Sequence, residues 1–232
     1  MSIDYSSQSY WESRLAKERD SGYEWLVSTS AILPIVSTHG ITDKDCTRIL
    51  HFGCGSSFLG RELQRAFGSK VAVTDADYAA AGLQLQDGDA CTTNHREREV
   101  PLLDLDVLSL AHLTASSPTG GWDLLIDKST ADAISCGPPL PSPSAPSLGI
   151  KREPIEVLCE NLAQVTRPYG RWVSISYSSE RFDFLAKGQD SKWRVVHKLP
   201  VQLIPPTTVG SMGIVYQPET GVWVWVLERV HL

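Results

Sequence analysis

The chain predicts a mostly parallel α/β sheet that ends in an antiparallel hairpin, and three observations predict it. Short apolar runs of strand length alternate with amphipathic stretches of helix length, which is the rhythm of βαβ units. A glycine pair, Gly53 and Gly55, stands where the first run gives way to the first helix. Near the C-terminus, Gln217-Pro218-Glu219-Thr220-Gly221 separates two alternating apolar runs, the mark of a turn between antiparallel strands.

The first unit runs from Arg48-Ile49-Leu50-His51-Phe52 through a helix over Ser57 to Phe67 into Lys70-Val71-Ala72-Val73-Thr74. In that helix Phe58, Leu59, Leu63 and Phe67 recur every three to four residues between Arg61, Glu62, Gln64 and Arg65, so one face is apolar and lies on a sheet. Further strands are expected at Leu102 to Leu105, Trp122 to Ile126 and Trp172 to Tyr177. A helix over Ile155 to Thr166 is closed by Arg167 and Pro168, and Gly170 turns the chain into the next strand. Gly210 to Tyr216 and Val222 to Arg229 form the hairpin, with Trp223 and Trp225 on one strand face as core. Polar Asp87 to Glu99 and Pro-rich Gly137 to Gly149 read as loops, the second a lid over a site.

Composition narrows the function classes. The 232 residues carry 21 Lys+Arg against 27 Asp+Glu, a formal charge of -6. No basic stripe is present to displace counterions from phosphates, so nucleic-acid binding is not expected. No apolar window reaches the roughly 18 residues of a membrane span, and the polar start does not resemble a leader, so a soluble, cytoplasmic protein is expected. Five scattered cysteines, with no CxxC pair, and six dispersed histidines predict neither a disulfide framework nor a metal site.

The chemistry-bearing residues cluster at strand ends. Gly53 and Gly55 let the backbone turn sharply and approach a ligand, with free amides at the helix start as donors. Asp75 lies 20 residues beyond Gly55, where an acid accepts from both hydroxyls of a ribose. A dinucleotide fingerprint would require a third glycine, but position 58 is Phe, which disfavours a nicotinamide ligand. Asp106, following its strand, suits the exocyclic amine of an adenine, with Val107 offering a backbone donor; the competing reading of Asp106 is a helix N-cap or turn acid.

Six stretches in order resemble a narrower group: Tyr10-Trp11-Glu12-Ser13-Arg14, Tyr23-Glu24-Trp25-Leu26, Gly53-Cys54-Gly55-Ser56-Ser57, Leu105-Asp106-Val107, Asp127-Lys128-Ser129-Thr130-Ala131-Asp132-Ala133 and Arg171-Trp172-Val173-Ser174-Ile175-Ser176-Tyr177. They are similar to the motifs of class I S-adenosylmethionine-dependent methyltransferases of the methyltransferase-like protein 13 group, which includes lysine methyltransferases of elongation factor 1-alpha. The resemblance implies a Rossmann-like fold, a methyltransferase activity and S-adenosyl-L-methionine as cofactor. It implies that Trp11, Trp25, Gly53, Asp75 with Ala76, Asp106 with Val107, and Lys128 hold that cofactor, beside Gly55 of the turn. It also implies one domain, with residues 1–45 as a helical segment covering the cofactor and 46–232 as the core. Leu15, Ser129, Ala131 and Tyr169 depart from the motifs, the last three on the acceptor side.

Methyl transfer from a sulfonium needs chiefly a close and aligned acceptor. Asp127 and Tyr177 are the candidate catalytic residues, as hydrogen-bond orienters or a general base. The resemblance makes N-methylation of a protein lysine the leading expectation. A small-molecule N-, O- or S-methyltransferase is the alternative raised by the altered acceptor motifs, and a non-catalytic module that keeps the fold is a further one raised by Leu15.

Overall fold

The computed structural model describes residues 3–17, 24–41, 46–79, 100–142, 149–187, 191–201 and 221–231. The loop at Asp87 to Glu99, the centre of the Pro-rich loop and the strand expected at Gly210 to Tyr216 lie outside them.

Two helices, α1 (Gln8–Lys17) and α2 (Thr29–His39), precede β1 (Thr47–Phe52). The chain then forms α3 (Leu59–Phe67), β2 (Val71–Asp77), β3 (Leu102–Asp104), α4 (Leu110–Ser116), β4 (Trp122–Lys128) and a short α5 (Thr130–Ile134). A two-strand ribbon, β5 (Leu140–Pro141) with β6 (Lys151–Arg152), leads to α6 (Pro154–Val165), β7 (Thr166–Ser176), β8 (Trp193–Pro200) and β9 (Trp223–Arg229). The seven-stranded sheet has the order β3-β2-β1-β4-β7-β9-β8. Its first five strands are parallel, and β9 and β8 join antiparallel at the edge.

Local sequence explains the elements that were legible. On α3 the buried residues are Leu59, Gly60 and Leu63; Leu59 and Leu63 belong to the predicted face, whereas Phe58, which stands just before the helix, is exposed. Pro154 opens α6 with a capping box between Glu153 and Glu156, which satisfies donors that the first turn leaves free. Strand β4 is buried along its whole length, as expected of a parallel strand covered on both faces.

Strand β9 pairs antiparallel with both β7 and β8; its pairing with β8 runs from Trp193↔Arg229 to Pro200↔Trp223, with a register shift between Val195 and His197. Strand β8 is half exposed at the sheet edge, so no strict apolar alternation advertises it. Trp223 and Trp225 do share a face, and both pack into the core with Trp172, Phe182 and Trp193. No helix among the described residues is long and apolar enough to cross a membrane.

The chain order in the sheet reverses between β1 and β4. In open α/β sheets ligands bind at the carboxyl ends of the strands flanking such a switch point.

Candidate active site

A cavity opens at that switch point. Its floor is the glycine turn Gly53 to Ser57; its flanks carry Asp77, Tyr78, Asp106, Val107 and Lys128. Trp11, Leu15 and Trp25 cover it from the N-terminal side, and Ile134, Pro138, Leu140 and Pro154 complete an apolar wall.

The turn has little steric freedom. Gly53 and Gly55 adopt φ +63° and +49°, left-handed values that favour glycine. A Cβ at Gly53 would lie 1.9 Å from Thr130 Oγ1, because the start of α5 packs directly on the turn. Asp77 holds the second glycine: its Oδ2 accepts from the Gly55 amide at 2.8 Å and its Oδ1 from Ala79 N at 2.8 Å. Burial raises the Asp77 pKa, and amide bonds from Ala79, Gly55 and Tyr78 work against that rise.

The N-terminal cover is tied down by a residue that sequence reasoning missed. Glu24 accepts from Ser57 Oγ at 3.0 Å and from the Phe58 amide at 3.2 Å, and it pairs with Lys128 Nζ. One carboxylate thus joins the segment before α2, the turn and the end of β4. Burial lowers the Lys128 pKa, while the Glu24 carboxylate favours the charged ammonium. Trp11 and Trp25 meet edge to face at 5.9 Å, and the Arg14 guanidinium lies 4.4 Å over Trp25. Leu15, where the motif has an aromatic, is buried and packs with Ala79, Trp11 and Tyr78.

The structure brings Trp11, Trp25, Gly53, Gly55, Asp106, Val107 and Lys128 together around the cavity. It leaves four expected residues outside the lining. Asp75 is buried behind the wall, bonded to His51 Nδ1 at 2.8 Å, and Ala76 faces the opposite core cluster. The acid and its successor that line the cavity are Asp77 and Tyr78. The physical reason is that β2 continues to Asp77 rather than ending at Thr74. The candidate catalytic pair is also displaced. Asp127 is fully buried, accepting from Trp172 Nε1 at 2.8 Å and Ala131 N at 3.0 Å. It therefore joins β7 to α5 and does not line the cavity. Tyr177 is 41% exposed and lies beside Arg181, outside the cavity.

Behind the turn after β4 stands a second buried acid, Asp132. It accepts from Ser176 Oγ at 2.5 Å, Tyr177 N at 3.2 Å, Arg181 Nε at 2.8 Å and Ser129 Oγ at 3.3 Å. Among the described residues no group of three or more His, Cys, Asp or Glu is placed to hold a metal ion.

The groups in the cavity fit an S-adenosyl ligand. Carboxylates at the ends of β2 and beyond β3 suit hydroxyls and an amine, Lys128 suits a carboxylate, and two indoles suit a sulfonium. No family model matches the chain. A Neurospora crassa protein, methyltransferase srdJ, is 28% identical over 192 residues, which cover 78% of this chain and 70% of that protein. Mouse EEF1A lysine methyltransferase 4 is 28% identical over 187 residues, 78% of this chain and 64% of that protein. Among solved structures, N-methyltransferase NodS from Bradyrhizobium japonicum with S-adenosyl-L-homocysteine superposes with a TM-score of 0.56 at 13% identity, over 98% of this chain and 100% of that one. The chain has the Rossmann-like fold of class I methyltransferases, and the curated proteins it is similar to are methyltransferases.

Proposed function

We propose that this chain is an S-adenosylmethionine-dependent methyltransferase that transfers a methyl group to the side-chain amine of a lysine in a protein. The likeness to EEF1A lysine methyltransferase 4 carries this reading: it spans 78% of the chain, and the motif residues Trp11, Trp25, Gly53, Asp106 and Lys128 converge on one cavity. When bound, the cofactor supplies a methyl group on a sulfonium, which is open to in-line displacement. Asp77 is the acid the cavity offers to the ribose hydroxyls. Asp106 and the Val107 amide take the adenine, and Lys128 takes the carboxylate in place of, or beside, Glu24. The Trp11 and Trp25 rings exclude water from the sulfonium and favour its charge. Helix α1 and residues 24–28 act as the cover.

Among the described residues that line the cavity there is no imidazole and no acid other than those assigned to the cofactor, so alignment supplies most of the acceleration. The test is transfer of tritiated methyl from labelled S-adenosylmethionine to purified elongation factor 1-alpha. Label on a lysine that disappears in Asp77→Ala supports the reading; turnover of a small acceptor without protein label refutes it. Such turnover would select a small-molecule methyltransferase, the reading favoured by Ser129 and Ala131, which stand where the motif has Gly and Leu.

A further inference from the structure

Ser129 is in the left-handed region, φ +66° and ψ 2°, a conformation that costs a residue with a Cβ free energy and that glycine adopts freely. It directly follows Lys128 and lines the cavity, where β4 turns into α5 against the glycine turn. Its amide is held by the Ile175 carbonyl at 2.8 Å, so the strained backbone is fixed. The hydroxyl is also fixed: Ser129 Oγ donates to Asp132 Oδ2 at 3.3 Å. Asp132 is itself locked by Ser176, the Tyr177 amide and Arg181. A hydroxyl that spends its proton on a buried carboxylate presents only its lone pairs to the cavity.

Resting on the reading of the cavity as a methyltransferase site, we propose that Ser129 is the acceptor-orienting residue and that it selects a nitrogen acceptor carrying at least one N–H. The acceptor amine donates that N–H to Ser129 Oγ, which turns the nitrogen lone pair toward the methyl group. As the N–C bond forms, the S–C bond breaks and its electron pair goes to sulfur. The positive charge passes from sulfonium to the new ammonium, which then gives up one N–H proton to water. Asp132, through the Ser129 hydroxyl, favours the charge that develops on nitrogen. An acceptor thiolate or phenolate has no proton to donate and meets only lone pairs.

The opposed demands of backbone and hydroxyl provide the test. Ser129→Gly relieves the left-handed strain and deletes the hydroxyl; Ser129→Ala deletes the hydroxyl and keeps the strain. Three quantities are measured on the full chain: melting temperature, S-adenosylhomocysteine affinity by calorimetry, and methylated product by mass spectrometry with N-α-acetyl-lysine amide or N-acetylcysteine as acceptor. The expected result is a glycine variant that melts no lower than the wild type and binds S-adenosylhomocysteine equally well. Both variants then lose at least tenfold in kcat/KM for the amine, and the wild type leaves the thiol untouched. Wild-type methylation of the thiol, methylation of neither probe, or a glycine variant that keeps full amine turnover overturns the proposal. A wild type that binds no S-adenosylhomocysteine overturns the reading beneath it instead.

Discussion

The parallel and antiparallel parts of the sheet use buried polar and aromatic groups in opposite ways. At the carboxyl ends of β1, β2 and β4 the wall of the cavity is built from Gly53, Asp77 and Lys128, whose polar atoms stand next to open space. Around β7, β9 and β8, by contrast, Trp172, Trp225, Trp193 and Phe182 stack edge to face at 4.9–5.7 Å, and each indole N–H is consumed internally by Asp127, Ser178 or Cys159. Adjacent residues show the contrast within one strand: Lys128 faces the cavity, and Asp127 faces the tryptophans. At the end of β4 the face of the sheet thus decides whether a polar residue is a ligand group or a core tie.

The strongest way to break this division is Trp172→Ala. The side chain is fully buried against Phe52, Phe182 and Trp193, and its removal leaves a cavity and strips Asp127 of a donor. The expected loss is about 3–5 kcal/mol in denaturant unfolding, with S-adenosylhomocysteine affinity of the folded fraction unchanged. Lost affinity at wild-type stability would show that the two regions are not separate.

Asp127 sharpens the same contrast through pH. Burial holds its carboxyl up at about 6, above the ordinary 3.8. With the folded pKa raised, the folded state binds the proton more tightly than the unfolded one. The stabilisation is complete below pH about 4 and is lost as pH rises through about 6, an amount of roughly 3 kcal/mol. Unfolding free energy measured across this window should fall in the wild type by more than in Asp127→Asn. Equal slopes would mean that Asp127 is ionised at little cost and does not belong to the core.

The same division explains what could be read from the chain alone. Strand β1, the glycine turn and α3 were legible because periodicity and glycine chemistry are local. The side-chain period of two that separates Asp127 from Lys128 is local as well, but which face holds the cavity is decided by sheet order, and that is not. Strand β8 carries its pairing on an exposed edge, where apolar pattern is weak. Glu24 reaches Lys128 across 104 residues; nothing in its own neighbourhood marks it beyond the motif Trp25 that follows.

The smallest and most discriminating effect concerns two carboxylates on one face of β2. Asp75 and Asp77 are separated by one alternation of the strand, so both point the same way, and a boundary misplaced by three residues exchanges their roles. Asp75 sits deeper, with His51 Nδ1 on one oxygen and the α3 backbone so close that a Cβ at Gly60 would lie 2.1 Å from it. Asp77 sits at the rim and holds the Gly55 amide. Asp77→Asn should weaken S-adenosylhomocysteine binding about tenfold, equivalent to roughly 1.4 kcal/mol, since it replaces a charged acceptor of hydroxyl and amide donors by a neutral one. Asp75→Asn should change that affinity less than Asp77→Asn does and act mainly on stability, through the buried imidazole it leaves without its carboxylate. Calorimetry on both variants at one pH decides it: the reverse order would mean that ligand entry draws Asp75 into the cavity and that the strand-end acid is the one 20 residues beyond Gly55.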